Sequence, residues 1–335
     1  MKDFAGKIAF ITGGASGAGF GQAQIFSEAG MKVVIADVRQ DHLDNAMEYF
    51  KTTDAQVHTI KLDVTDRVGF AAAADETERI FGSTPDLLVL TAGVNAFGPV
   101  EASTFDDYDW VMGVNLGGVV NGLVTFVPRM IKAGKGGHIA STVSYGAFIA
   151  APVVAPYAAS KAAVLNLLES YYLALKPYGI GVSALCPASI KSNIYDAVLK
   201  TRPESLKNTG YNASEETQGQ LYQALQTGME PRVLASWLKD GIENEQFLVL
   251  PYKSAERMVE LELQRFVDYC TPEGIKRLEE RKNQPPTEEQ RRIHREKEGY
   301  DLPLPTDAPT PPRPDVGFGK AKREMDWVAP DRRIK

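Results

Sequence analysis

The first 37 residues constrain the fold more tightly than any other part of the chain. Lys7-Ile-Ala-Phe-Ile-Thr12 is a short apolar run, the pattern of a parallel strand buried on both faces. Thr12-Gly13-Gly14-Ala15-Ser16-Gly17-Ala18-Gly19 follows, then a helical pattern to Ala29-Gly30. Met31-Lys-Val-Val-Ile-Ala-Asp37 reads as a second strand with an acid at its C-terminal end. Strand, glycine turn, helix and strand in that order form a βαβ unit. Glycines let a backbone approach a pyrophosphate closely, and a helix N-terminus points unpaired N–H groups at it. The spacing here is G-x-x-x-G-x-G rather than the more familiar G-x-G-x-x-G, with Gly13, Ser16, Gly17 and Gly19 as the candidate contacts. Asp37 follows about 20 residues later, where a carboxylate accepts hydrogen bonds from an adenosine ribose. Its charge opposes a 2′-phosphate, so the pattern predicts NAD over NADP. Arg39 counts against that preference, because a basic group there can pair with the phosphate.

The alternation continues to about residue 250. Further strand patterns lie at 56–61, 86–90, 137–143, 180–185 and 246–250, with helical patterns between them, the longest from about Pro156 to Pro177. The expectation is an α/β fold of Rossmann type: a doubly wound parallel sheet of about seven strands, helices on both faces. A formal net charge of −6 without a basic block in this region argues against nucleic acid as a partner. His42, His58, His138 and His294 have no ligand spacing, so no metal is expected. Cys186 and Cys270 belong to no paired motif, and Cys186 reads as a small buried hydrophobe. No signal-peptide core precedes the first strand, and Ala147–Ala159 is too short and Pro-broken to span a membrane. These features together predict a cytoplasmic protein without a membrane partner.

Chemistry enters with Tyr157-Ala-Ala-Ser-Lys161. Residues four apart on a helix share a face, where an ammonium can favour the phenolate and draw the phenol pKa toward neutrality. Such a group can exchange a proton with an alcohol or ketone. The same spacing also suits an ordinary helix with a snorkelling lysine. Ser144, thirteen residues before Tyr157, closes the strand Gly137-His-Ile-Ala-Ser-Thr-Val-Ser144 and could equally be a turn residue. Asn115, in Val114-Asn115-Leu116-Gly117-Gly118, is disfavoured inside a helix because its side chain competes for backbone bonds. A buried structural amide with a local kink is the alternative reading.

Taken together, these motifs resemble the short-chain dehydrogenase/reductase family over roughly residues 5–252, with Asp63-Val64, Thr91-Ala92-Gly93 and Pro187-Ala188-Ser189-Ile190-Lys191-Ser192 extending the match. The resemblance implies an Asn-Ser-Tyr-Lys tetrad. Tyr157 would be the acid/base and Ser144 would hold the substrate oxygen. Lys161 would tune Tyr157 and bind the nicotinamide ribose, and Asn115 would hold a water of the proton relay. It also implies cofactor contacts from Asp63, Val64, Ala92, Gly93, Tyr157, Lys161, Pro187, Ile190 and Ser192. Two departures stand beside the cofactor: Thr91 where the family has Asn, and Ala188 where it has Gly. Within the family, Ile11-Thr-Gly-Gly-Ala-Ser-Gly-Ala-Gly-Phe-Gly-Gln22, Thr91-Ala-Gly-Val-Asn95 with Phe97-Gly98-Pro99, and Ile190-Lys-Ser-Asn-Ile194 are similar to bacterial Cα-dehydrogenases of lignin-derived aryl ethers. The implied reaction is NAD-dependent oxidation of a benzylic secondary alcohol to an aryl ketone, in a homodimer or homotetramer. A dehydrogenase of steroids or other bulky alicyclic alcohols, and a non-catalytic NAD-sensing protein, are the alternatives.

Domain boundaries follow composition. Residues 1–252 form the expected catalytic domain, with 192–231 far longer than an ordinary connection and so a candidate substrate lid. Its Tyr195, Leu206, Tyr211, Tyr222, Leu225 and Met229 would cover an aromatic substrate, or pack a helical pair or subunit interface. Residues 253–335 form an irregular extension. An apolar stripe at Val259, Leu263, Phe266, Val267 and Cys270 predicts an amphipathic helix, and 303–314 is Pro-rich. Phe318, Met325 and Trp327 are candidate anchors onto the body or a neighbouring subunit, in an assembly or pocket-closing role.

Overall fold

A computed structural model describes residues 1–192, 194, 200–207, 209–212, 227–253, 255–282, 284, 287–289 and 291–292. Most of the expected lid, including Tyr195, Tyr222 and Leu225, lies outside the described residues, as do 303–335.

The expected runs become strands β1 (Ile8–Thr12), β2 (Lys32–Asp37), β3 (Val57–Lys61), β4 (Leu87–Leu90), β5 (Gly137–Thr142), β6 (Ile180–Leu185) and β7 (Leu248–Val249). They pair in the order β3-β2-β1-β4-β5-β6-β7, parallel throughout. The inner strands β1, β2 and β4 are apolar on both sides because both sheet faces are covered there, whereas the edge strand β3 carries His58, Thr59 and Lys61 and is only partly buried. Phe10, Val34 and Leu88 face one core, while their neighbours Ile11, Ile35 and Val89 face the other.

The first core is capped by α3 (Arg67–Phe81), α5 (Gly118–Ala133) and α6 (Ala155–Leu175), through Phe70, Phe126 and Leu168 among others. The second is capped by α1 (Gly17–Glu28), α2 (Gln40–Phe50) and α7 (Pro231–Glu243), through Phe26, Leu43 and Leu238. Helices α1 and α7 touch closely at Gly21, where a Cβ would lie 2.4 Å from the Pro231 carbonyl oxygen. Helix α4 (Phe105–Met112) starts at a Thr104–Asp107 capping box and leads through a π-helical turn, Gly113–Gly117, into α5. Among the described residues, Phe105–Ala133 is long and apolar enough to cross a membrane by length and composition. Here its α5 segment is one of the layers over the sheet.

Helix α8 (Ala255–Tyr269) forms where the stripe predicts one, but the stripe is not its docked side. Met258 is buried against Tyr145 and Tyr252, with Leu261 packed alongside, whereas Leu263, Phe266 and Val267 are each more than half exposed. Helix α9 (Pro272–Lys282) follows, held to α8 by the Arg277–Asp268 ion pair at 3.0 Å.

The sheet order reverses between β1 and β4, neighbours in space but separated in the chain by β2 and β3. Loops leaving the C-terminal ends of these strands diverge there and open a crevice, where ligands bind in open α/β sheets.

Candidate active site

The crevice is a cleft of about 440 Å³. At one end, Gly13 turns through φ 62°, and a Cβ there would lie 2.8 Å from Ala92 Cα. A Cβ on Gly19 would lie 2.1 Å from the Gly13 oxygen, so glycine is required for this close approach. Ser16, at the N-cap of α1, makes no side-chain capping bond, and the first turn carries no acid. The leading N–H groups are therefore open to an anion, and Ser16, Gly17, Ala18 and Gly19 all border the cleft.

Asp37 is buried beyond them. Its carboxylate accepts from Ala15 N at 3.3 Å and Arg39 N at 3.0 Å. Burial pushes its pKa up, and those backbone bonds pull it back. Arg39 is engaged by Asp41, through Nε at 3.0 Å and through Nη2, while its Nη1 is buried with no protein partner. Asp63, which closes a turn onto Thr65 N at 2.9 Å, borders the cleft with Val64, Ala92 and Gly93. Pro187, Ile190 and Ser192 line its wall. That wall is fixed where Lys191 N donates to Met229 O and Met229 N to Ser189 O, each at 3.0 Å.

Ser144, Tyr157 and Lys161 stand at the other end of the same cleft. The Ser144 hydroxyl accepts from Gly146 N at 2.9 Å. A Cβ on Gly146 would fall 3.2 Å from Ser144 Oγ and 3.5 Å from a Tyr157 ring carbon, so the two side chains crowd one small space. Lys161 is buried, donates to Thr142 O at 2.9 Å, and holds its ammonium 5.7 Å from the Tyr157 ring centre. The protonation balance departs from the sequence expectation. Burial pushes the Tyr157 phenol up, and a hydrogen bond with Ser144 partly offsets it. Burial also pushes Lys161 down to about 8. The spacing argument counted the attraction between the two groups but not their shared desolvation.

Asn115 lies beneath the cleft, wholly buried in the π-helical turn. Its amide donates to Val94 O at 2.9 Å and Ser160 Oγ at 3.0 Å, and accepts from Val94 N at 2.8 Å. Both N–H bonds are thus spent on structure. A Cβ on Gly93 would lie 3.3 Å from Asn115 Oδ1 and 3.6 Å from Lys161 Nζ, so the space that glycine leaves open is bordered by both groups.

A family model for short chain dehydrogenases matches residues 7–203. The chain belongs to the short-chain dehydrogenase family. It is an oxidoreductase with a nucleotide-binding Rossmann fold. A C alpha-dehydrogenase from Sphingobium sp. (strain NBRC 103272 / SYK-6) is 48% identical over 272 residues, 81% of this chain and 89% of that protein. The solved apo form of LigD from Sphingobium sp. strain SYK-6 matches with a TM-score of 0.67 and 43% identity, over 81% of this chain and 100% of that one. A short chain dehydrogenase/reductase from Burkholderia phymatum in complex with NAD matches with a TM-score of 0.74 and 33% identity, over 80% and 96%.

The two departures from the family pattern have local explanations. Thr91 donates to Gln22 Oε1 at 2.7 Å and meets Thr142 Oγ1 at 2.8 Å, while Gln22 Nε2 donates to Thr142 Oγ1 at 3.1 Å. Ala188 does not have the positive φ that would need glycine, and its N–H donates to the Tyr252 hydroxyl. Sequence reasoning missed Gln22, which α1 carries together with Gln24, Ser27 and Glu28, so nothing local singled it out. It also missed Trp110, Phe97 and Asn95 as cleft walls. Nothing local marked Glu262 and Arg265. Tyr145 Oη donates to Glu262 at 3.1 Å and Arg265 donates to Phe148 O at 2.6 Å, tying α8 to the loop that begins at Ser144.

Proposed function

We propose that this short-chain dehydrogenase uses NAD to convert a secondary alcohol bearing an aryl group reversibly to its ketone. The observation that carries the reading is the joining, in one cleft, of Tyr157, Ser144 and Lys161 with the aromatic walls Phe97 and Trp110 and the buried Asp37. The 48% identity to a C alpha-dehydrogenase supports it.

The residues fit a dinucleotide. Gly13, Ser16, Gly17 and Gly19 would receive its pyrophosphate, and Asp37 its adenosine ribose. Asp63 and Val64 would border the adenine. Ala92, Gly93, Pro187, Ile190 and Ser192 would flank the nicotinamide half. Asp41 takes Nε and Nη2 of Arg39, so the Asp37 carboxylate, set against the one remaining guanidinium nitrogen Nη1, favours NAD over NADP. When bound, the cofactor supplies the hydride acceptor for the carbinol carbon.

The chain's own groups manage the proton. Ser144, whose lone pair is taken by Gly146 N–H, turns its O–H toward the substrate oxygen. Tyr157 Oη takes the alcohol proton, and in the reverse direction returns it to the ketone oxygen. Together the two hydroxyls stabilise charge developing on that oxygen. The Lys161 ammonium, oriented by Thr142 O, favours the phenolate form of Tyr157. A water in the gap over Gly93 would join Lys161 Nζ to Asn115 Oδ1 and carry the proton onward.

Two unpaired cysteines, Cys186 buried and Cys270 exposed, accord with a reducing cytoplasm. The exposed apolar residues Val120, Val124 and Leu173 on α5 and α6 support a homo-oligomer. The test is NADH formation by purified protein across aryl, alicyclic and steroid secondary alcohols. Aryl alcohols should be preferred, and Tyr157→Phe should lower kcat by about 10²–10⁴-fold with NAD binding retained. A steroid or alicyclic preference would overturn the substrate class. NAD binding without turnover of any alcohol would favour a sensor.

A further inference from the structure

One buried polar group in the cleft is not used by this mechanism. Asn95 is 8% exposed and borders the cleft with Phe97, Trp110, Ser144 and Tyr157. Its side-chain oxygen is buried and meets no protein partner. Buried amides are ordinarily satisfied, so an orphaned one beside reactive groups points to a ligand. Its placement is rigid. The N–H and C=O of Val94 are both clasped by Asn115, at 2.8 and 2.9 Å. On the other side, Ala96 is fully buried in the cluster against which Tyr157 and Trp110 pack. The backbone that carries the amide is therefore held on both sides, and the side chain borders the cleft with Tyr157 among side chains that are largely apolar.

We propose that Asn95 is a specificity-determining residue that hydrogen-bonds a second hydroxyl of the substrate, one other than the hydroxyl being oxidised. This rests on the alcohol-dehydrogenase reading above. The reacting oxygen already has two donors, Ser144 and Tyr157, and an amide oxygen beside it would repel the charge that develops there. A hydroxyl both donates and accepts, so it matches the amide head in either orientation. A substrate lacking that hydroxyl leaves the amide desolvated and unpaired in the closed complex, which a binding site penalises more than it rewards an apolar contact.

The experiment compares wild type with Asn95→Leu, close in size but without the amide. The substrates are 1-phenylethanol, 1-phenylethane-1,2-diol and 1-(4-hydroxyphenyl)ethanol, with cyclohexanol and cyclohexane-1,2-diol as an alicyclic pair. Wild type should favour a hydroxylated alcohol over its plain parent by about 10- to 100-fold in kcat/KM. Asn95→Leu should reduce that ratio to less than about threefold, chiefly through a lower kcat/KM on the hydroxylated alcohols, with the Kd for NAD unchanged. Asn95→Ala reports the same ratio should the Leu variant fail to fold. An unchanged ratio overturns the proposal. An equal loss on every alcohol would put Asn95 at the reacting oxygen, and a weakened NAD Kd would put it at the cofactor; either also overturns it. Turnover confined to the alicyclic pair would refute the aryl reading, yet the diol-to-cyclohexanol ratio would still judge Asn95. Turnover of neither pair counts against both.

Discussion

The ion pair between Arg202 and Asp107 should control whether the substrate side of the cleft stays closed. Their side chains are 2% and 0% exposed and meet at 2.7 Å. Arg202 also donates to Asn212 Oδ1 at 2.6 Å and to Thr209 Oγ1 and Tyr211 O at 3.1 Å, so one guanidinium gathers Thr209, Tyr211 and Asn212. Asp107 belongs to the body, where its other oxygen receives Thr104 Oγ1 at 2.8 Å. The segment's second attachment is Tyr211, fully buried, whose hydroxyl donates to Val153 O at 3.1 Å. Thr201 borders the cleft, and the Arg202 guanidinium lies 6.0 Å from the Trp110 ring centre.

Removing one partner of a buried pair typically costs about 3–5 kcal/mol, because a buried charge is left without its mate. For Arg202→Met the cost should fall near the lower end, about 3 kcal/mol, since Asp107 keeps its Thr104 donors and a longer bond from Thr209 at 3.3 Å. Asp107→Leu should cost more, since it also removes the capping box of α4. Because the pair bridges the segment to the body, the loss should appear as local opening rather than global unfolding. About 3 kcal/mol raises the open population roughly 100-fold. Trypsin cleavage at Lys200 or Lys207 should accelerate accordingly, and KM for the alcohol should rise about tenfold, a change of about 1.4 kcal/mol. NAD affinity should not change. The double variant Arg202→Met/Asp107→Leu should recover part of the loss, since removing both charges leaves neither uncompensated. If Arg202→Met has wild-type proteolytic resistance and KM, the pair does not hold the segment. If the double variant is as poor as the sum of the two singles, the charge argument is wrong.

Three further outcomes are expected. Asp37→Ala should weaken NAD and relatively improve NADP, read from kcat/KM with each coenzyme; a wild type already indifferent between them would refute the assigned role of this carboxylate. His138 is buried against Ser183 Oγ at 2.9 Å, and burial pushes its pKa down to about 3 from 6.5. The unfolded chain therefore binds a proton below pH 6.5 that the folded chain does not, so stability falls as pH drops through that window, by about 2 kcal/mol at pH 5. Urea unfolding should show that slope in wild type and lose it in His138→Gln. Truncation after Tyr252 removes the Glu262 and Arg265 ties to the Ser144 loop and should raise KM and lower Tm, while leaving detectable NAD-dependent turnover; a folded truncation that binds both ligands without hydride transfer would place a catalytic group in the extension.

The parts of the fold that were legible depend on short-range pattern. Buried parallel strands need apolar residues on both faces, so 7–12 and 31–37 announced β1 and β2 within a residue. The i, i+4 spacing placed Tyr157 and Lys161 on one helix, and the glycine cluster fell between strand and helix where a tight turn was needed. The long-range pairings were not legible. Periodicity showed that α8 has an apolar stripe, but not that Met258 and Arg265 would dock it while Leu263 and Phe266 face outward. Nor could it show that the Asn115 amide would be consumed by Val94, twenty-one residues away, or that the same bonds would fix Asn95 beside it. The direction of the Tyr157 shift was missed for a related reason, since desolvation depends on everything packed around a group rather than on its neighbours in sequence.

The polar triad under the cleft shows how the Thr91 departure and the buried Lys161 belong to one arrangement. With Thr91 donating to Gln22, Thr142 can donate to Thr91 and accept from Gln22, so the two hydroxyls and the amide close a ring in which each hydroxyl both donates and accepts. That ring joins α1, the end of β4 and the end of β5. The Thr12 hydroxyl extends it to β1 by accepting from Thr91 N at 3.1 Å and Ala92 N at 3.2 Å. Thr142 then offers its carbonyl to Lys161 at 2.9 Å from the same residue whose side chain is locked in the ring. A satisfied buried network is stiff because moving any member strands the others. The glycine turn at one end of the cleft and the lysine at the other are thus referenced to the same three strand ends. The spacing between the glycine turn and Lys161 is set by the sheet itself, leaving the segments outside the sheet around Asn95, Trp110 and Arg202 to shape the rest of the cleft.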